Sequence, residues 1–350
     1  MEAPAQANIT GQITGPAPGP GAGPIPGSAQ PALAPGNPGL ALVMSTGCLF
    51  HLPLPQIARI AQAAGFAGLD LVMGSPKIAP GAEVEAAHAI CPVRVVHAPF
   101  RNWSAWGGHL NAWRAAVDLA GGLVCAENGH SVHVTLHPPA GTLRDAIQTR
   151  WFSRAVDLPR LLDAAPGVSL SLENLPWSAN LLGNGLFAKD AFAELVAECL
   201  DKGLGLTLDV CHLGVSDRDV LADLDRVPAG LLRHVHFSDA SGYTEHLLPG
   251  QGELPLGPFL ARLGAARLGR EGVGGSPYSG TVSLELDPAQ LPEIPPGQAP
   301  DLDLDQDSPV VCALAALRQG MAESLAGTPP RAWRGCSHSA RRREPVAAFG

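Results

Sequence analysis

The sequence predicts an α/β protein of the (β/α)8-barrel class, and three observations carry that prediction. Eight short apolar runs alternate with helix-like segments across residues 41–327. Such alternation implies parallel strands joined by crossover helices. In four of the runs, aliphatic and small polar residues also alternate strictly, and the polar row ends on an ionisable side chain. Eight units fit a closed barrel better than an open doubly wound sheet, the alternative that a strand count alone leaves standing.

In chain order, residues 1–40 come first, rich in Pro, Gly and Ala and nearly uncharged. A segment of that composition buries too little surface to offset its ordering entropy, so a disordered leader is expected. The strand-like runs are LALVMS, AGLDLV, VRVVHA, SVHVTLH, VSLSLEN, LGLTLDV, RHVHFSD and GTVSLEL. Helix-like segments between them include PLPQIARIAQAAG, GGHLNAWRAAVDLAGG, DAFAELVAECLDKG and GPFLARLGAARLG, and VVCALAALRQGMAESLAG follows the last strand. A barrel domain over 41–327 results. Residues 328–350 read as a basic, flexible tail, more simply solvated than bound to nucleic acid.

The alternation locates the chemistry. Val168, Leu170 and Leu172 share one strand face, and Ser169, Ser171 and Glu173 share the other. Leu206, Leu208 and Val210 stand against Gly205, Thr207 and Asp209. The pattern repeats in Val132, Val134, Leu136 against His133, Thr135, His137, and in Val282, Leu284, Leu286 against Thr281, Ser283, Glu285. Neighbouring side chains point to opposite faces. The aliphatic set therefore faces the helices and the polar set the barrel interior.

Bulk properties narrow the class of protein. The 350 residues are 46% hydrophobic and 16% charged, with a formal charge of −9. No long basic stripe in the body advertises affinity for a phosphate backbone. Seven scattered cysteines without a CxxC argue for reduced thiols, not for a disulfide framework or zinc knuckle. With neither a signal-peptide pattern nor a long uninterrupted apolar stretch, a cytoplasmic protein without a membrane span is expected.

Strand C-termini form the active face of a barrel. There the sequence places a ring of His97, His137, Glu173, Asp209, His236 and Glu285, with His212 on the following loop and His246 beyond strand seven. Crowded carboxylates must share protons or bind a cation. A mixed oxygen and nitrogen set without thiolates suits Mn²⁺, Mg²⁺, Co²⁺ or Zn²⁺. Taken singly, each residue has a plainer reading: a core histidine for His97 or His137, a structural cap for Glu173 or Asp209. His234 competes with His236 on the same face. No plain reading covers the whole ring.

The motifs VVHAPF, VTLHPPAG, LSLENLPW, LTLDVCHLG, HVHFSDASG, EHLLPGQGE and VSLELDP, in this order, resemble the xylose isomerase-like TIM barrel superfamily of sugar isomerases, epimerases and endonuclease IV-like nucleases. For the isomerase and epimerase branch, the resemblance implies one divalent metal held by Glu173, Asp209, His236 and Glu285. The metal would act as a Lewis acid. Glu173 and Glu285 would shuttle a proton through a cis-enediolate, and His212 would bind a substrate oxygen. Trp103, Trp106, Trp177 and Phe237 would wall the sugar.

The nuclease branch implies three metals and abasic DNA as substrate. His97, His137, His212 and His246 match its additional ligands, but Thr244 stands where that branch has an aspartate, and a regular loop would point Glu245 elsewhere. Gly242 occupies the position where some epimerases of the family place a substrate-binding arginine. A barrel that keeps a metal or ligand site without turnover is the third reading. On these grounds a metal-dependent sugar or sugar phosphate isomerase or epimerase comes first and the phosphodiesterase second.

Overall fold

The computed structural model describes residues 40–74, 81–100, 103–126, 131–138, 165–176, 191–228, 230–265, 278–294, 308–330 and 333. The expected leader apart from residue 40, most of the tail and Trp177 lie outside the described residues. Eight parallel strands close a barrel. They are β1 (Ala41–Ser45), β2 (Leu69–Val72), β3 (Val93–His97), β4 (Val132–Leu136), β5 (Val168–Glu173), β6 (Gly205–Asp209), β7 (Leu232–Phe237) and, after a hairpin, β10 (Thr281–Leu284). The order around the barrel is β1-β10-β7-β6-β5-β4-β3-β2. All eight predicted strands are therefore present, in a closed sheet.

Helices α1 (Leu54–Ala63), α2 (Ala82–Ile90), α3 (His109–Ala126), α4 (Ala191–Asp201), α5 (Val210–Val215), α6 (Val220–Arg226), α7 (Leu256–Ala265) and α8 (Pro309–Leu325) accompany them. None among the described residues is long and apolar enough to cross a membrane. The outward strand residues Leu42, Met44, Leu71, Leu172, Leu208 and Phe237 are buried against helix residues such as Ile57, Trp113, Phe259 and Leu314. Each such large apolar side chain contributes about 1.5–3 kcal/mol through burial.

Inside the barrel the layers are polar and cross-linked. His133 meets Ser169 Oγ at 2.8 Å through Nδ1 and Ser171 Oγ at 2.7 Å through Nε2. Thr135 Oγ1 lies 3.0 Å from Thr207 Oγ1, which also bonds Ser171. These bonds join β4, β5 and β6 beneath the mouth, so the small polar residues satisfy one another in a place that water does not reach.

Two features depart from the expected organisation. The loop after β7 folds into an antiparallel hairpin, β8 (Asp239–Ser241) and β9 (Thr244–Leu247), turning at Gly242, whose φ of 57° favours glycine. The second is Trp333, which the sequence assigns to the tail. It packs against the hydrophobic core, with its ring 6.0 Å from that of Phe237. Gly320 on α8 makes room for it, because a Cβ there would overlap the indole. A large aromatic packed on the core is not a solvated tail residue, so Trp333 packs with the barrel although it lies beyond 327.

Candidate metal centre

The ring converges on one atom. His236 Nδ1 lies 3.0 Å from Glu173 Oε1, 3.2 Å from Glu285 Oε2 and 3.7 Å from Asp209 Oδ2. Parallel pairing sets this up. Asp209 pairs with His236 across β6 and β7, while Ser283 pairs with His236 from β10 and puts Glu285 two residues further along, above the last inward residue. His234 sits a layer deeper, fully buried, with Nδ1 against Thr281 Oγ1 at 2.6 Å. Of the two competing histidines, it is His236 that faces the carboxylates.

Asp209 is both of the things that a carboxylate at a strand end can be. Oδ1 caps α5 by accepting the His212 backbone N–H at 2.9 Å, and Oδ2 faces the cluster. Asn174 sets its position, donating from Nδ2 to the Asp209 carbonyl (2.9 Å) and accepting the Asp209 N–H (2.8 Å). The carbonyl of Asn174 accepts from His212 Nδ1 at 2.9 Å, which leaves His212 Nε2 with a free lone pair.

Two further groups flank this centre. His97 Nε2 and His137 Nε2 approach to 2.9 Å, and His137 Nε2 lies 2.8 Å from Glu173 Oε2. Four imidazoles, of His97, His137, His212 and His236, thus lie within ion-pair distance of Glu173. On the other side, His212, Glu245 and His246 bring ligand atoms within 4.8 Å of one another. That corrects the expectation for Glu245. His246 adopts a φ of 56°, so β9 is not a regular strand there, and consecutive residues 245 and 246 both reach His212.

Burial and mutual charge sort the protons. Burial alone would raise Glu173, but His236 and His137 hold its carboxyl well below the usual carboxylate range. Burial pushes Glu285 up to about 8 against the pull of His236, and burial plus the charge of Glu173 pushes Asp209 up to about 6. Burial would lower His236, yet Glu285 and Glu173 keep it well above the ordinary imidazole range. Burial takes His97 down to about 3 and also lowers His212 and His246.

The donor set fits a divalent cation. Glu173, Asp209 and His236 bring ligand atoms within 4.8 Å of one another, and Glu285 does so with His97 and His236. Asp209 Oδ2 is buried without a hydrogen-bond partner, an arrangement that is costly unless a cation or proton is shared there. Among the expected wall residues, Trp103 is half-buried and stacks at 3.7 Å on His109, whose Nε2 lies 3.4 Å from the carbonyl of His137. Phe237 is not in the wall. His236 points inward, so its neighbour points outward, and Phe237 is fully buried in the helix-side core. Phe100 is the aromatic beside the histidines, 5.7 Å from the His97 ring and 5.3 Å from that of His137. Sequence reasoning also passed over Asn174 and Asp70. Asp70 was findable, since AGLDLV carries it on the inward face between Leu69 and Leu71.

Fold and site together define a β/α barrel with a carboxylate–imidazole centre at the C-terminal mouth of its strands. The chain belongs to the xylose isomerase-like TIM barrel family, whose family model matches residues 58–290. No curated protein sequence matches it. Its fold is similar to that of L-ribulose 3-epimerase, at 14% identity and a TM-score of 0.55 over 87% of this chain and 100% of that one. It is similar too to the 3-keto-D-glucoside 4-epimerase YcjR of E. coli (15%, TM-score 0.51, 82% and 98%). An AP endonuclease family 2 protein from Brucella melitensis has the same fold (19%, TM-score 0.50, 72% and 93%).

Proposed function

We propose that the protein is a divalent-metal-dependent isomerase or epimerase acting on a sugar or sugar phosphate, with residues 41–327 as its catalytic domain. One observation carries the reading: Glu173 Oε1 and Glu285 Oε2, borne at the ends of non-adjacent strands, come within 3.0 and 3.2 Å of the same atom, His236 Nδ1. Two carboxylates at one centre are suited to removing a proton from one face of a carbon and delivering one to the other. Glu173, Asp209, His236 and Glu285 would hold the ion, which when bound would supply Lewis acidity to a carbonyl and its neighbouring hydroxyl. His212 would bind a substrate oxygen, and Trp103 would supply an apolar wall. Several fold relatives are sugar epimerases by name, which agrees with this reading.

The test is cation-dependent incorporation of solvent deuterium into a panel of ketoses and ketose phosphates. Glu173→Gln and Glu285→Gln are each expected to lower exchange by roughly 10²–10⁴-fold. Persistence of exchange in both variants would end the proposal.

A second reading has its own support. The clusters His97–His137–Glu173 and His212–Glu245–His246 on either side of the centre suit additional cations and phosphodiester hydrolysis. A metal count near three per chain, with incision of abasic duplex DNA and no deuterium exchange, would establish it in place of the first.

A further inference from the structure

β2 contributes no group to the ring, yet it carries a fully buried carboxylate that points into the barrel. Asp70 is fully buried, and a single oxygen, Oδ2, meets two imidazoles: His236 Nε2 at 3.1 Å and His234 Nε2 at 3.3 Å. Its other oxygen, Oδ1, has no hydrogen-bond partner. The contact to His236 crosses the barrel interior between residues 166 apart in sequence. Burying a carboxylate costs several kcal/mol, and an interior packed elsewhere with Ser, Thr and Val did not require one.

The chemistry of the pair explains what the carboxylate accomplishes. An ionised carboxylate only accepts, so the His236 nitrogen facing it must carry a hydrogen. With Nε2 protonated, a neutral His236 has its lone pair on Nδ1, the atom that Glu173, Asp209 and Glu285 surround. His234 takes the second lone-pair direction of Oδ2 and is itself fixed by Thr281, whose hydroxyl approaches His234 Nδ1 at 2.6 Å. A hydrogen-bonded column thus rises from Thr281 through His234 and Asp70 to His236.

We propose that Asp70 is a positioning residue that fixes the tautomer and ring orientation of His236 so that Nδ1 is available to a cation. The proposal rests on the metal-centre reading above. Asparagine at this position reverses the logic. Its oxygen satisfies one imidazole N–H, but its NH2 needs an acceptor, and turned toward His236 it selects the tautomer with hydrogen on Nδ1, which cannot bind an ion. Outer partners of a metal-binding histidine are typically worth about 10–100-fold in metal affinity.

Affinity for Mn²⁺ and for Zn²⁺, each added alone to chelator-stripped full-length protein, tests this by competition with a chromophoric chelator. Asp70→Asn is expected to weaken binding about 10–100-fold. His234→Gln leaves the bond from His236 to Asp70 in place and is expected to bind within about threefold of wild type. Equal affinity in wild type and Asp70→Asn would overturn the role of Asp70 while leaving the metal centre intact. So would a loss in His234→Gln as large as that in Asp70→Asn. Failure of the wild type to bind either ion would instead remove the metal-centre reading, and the role of Asp70 with it. Should Asp70→Asn not fold, nitrogen-15 shifts of His236 in the ion-loaded wild type decide the matter: hydrogen on Nε2 upholds the proposal, and hydrogen on Nδ1 overturns it.

Discussion

Asp209 accepts the backbone N–H of His212 at 2.9 Å with one oxygen and turns the other toward His236 Nδ1 at 3.7 Å. The cap and the cluster contact can be separated. Asparagine still caps a helix, so Asp209→Asn is expected to keep the stability of α5 while weakening divalent-ion binding. Asp209→Ala loses both, and the missing cap costs about 1 kcal/mol. Thermal melts of the chelator-stripped variants check this. Equal melting of Asn and Ala variants would show that the cap contributes nothing.

The proton affinities of the centre set a pH dependence. Glu285 in the folded protein keeps its proton up to about 8, whereas an unfolded glutamic acid has lost it by about 4.5. His236 is likewise raised above its unfolded value. Above about pH 7 the unfolded chain therefore binds fewer protons than the folded one at these sites, and stability falls as pH rises. The buried histidines of lowered affinity act in the opposite direction, but only below about 7, where an unfolded imidazole is still charged. Ion-free protein is thus expected to melt at progressively lower temperature from about pH 7 to 8, by at most about 1.4 kcal/mol per unit for each group. A melting temperature that rises over this window would contradict the assignment.

Cation binding should reverse that trend. An ion at the centre displaces the protons on Glu285 and His236, so uptake near neutral pH is expected to release about two protons per ion. Calorimetric titration in buffers of different ionisation enthalpy measures the number directly. With ion at about 100 times its dissociation constant, stability should rise by about 2.7 kcal/mol, and a chelator should remove the gain.

The flanking cluster distinguishes the two functional readings. Glu245→Gln and His246→Ala alter the His212 group and leave Glu173, Asp209, His236 and Glu285 untouched. Under the isomerase reading, both variants retain one bound ion and deuterium exchange within about tenfold of wild type, an allowance below the roughly 10²–10⁴-fold effect of a lost acid–base group. A collapse of activity together with the loss of an ion would favour the multi-metal reading.

The alternation of small polar and aliphatic residues made the barrel and its ring legible, because strand geometry converts sequence parity into a face. Parity puts Glu173, Asp209 and Glu285 on the inward row, and nearness to the rim singles out His236 over His234. The same parity would have yielded Asp70, overlooked because its strand carries a single polar inward residue. Phe237 was misplaced by ignoring parity in favour of its aromatic character. Glu245 was misjudged for a different reason. Its orientation depends on the left-handed backbone of His246, which no periodicity in TEHL announces. Asn174 acts through the backbone of Asp209, a partner on another strand that sequence spacing does not identify.

Trp333 lies against the segment that bears Gly250, whose N–H Asp239 Oδ2 accepts at 2.9 Å. The same Asp239 oxygen accepts from Gly252, and its partner oxygen accepts from Leu254. A shortened version ending at residue 327 would leave an empty socket beside Phe237 and loosen the brace beneath the hairpin that holds Glu245 and His246, whereas one ending a few residues past the indole would not. Anyone trimming this protein for crystallisation or fusion should therefore place the cut after the tryptophan.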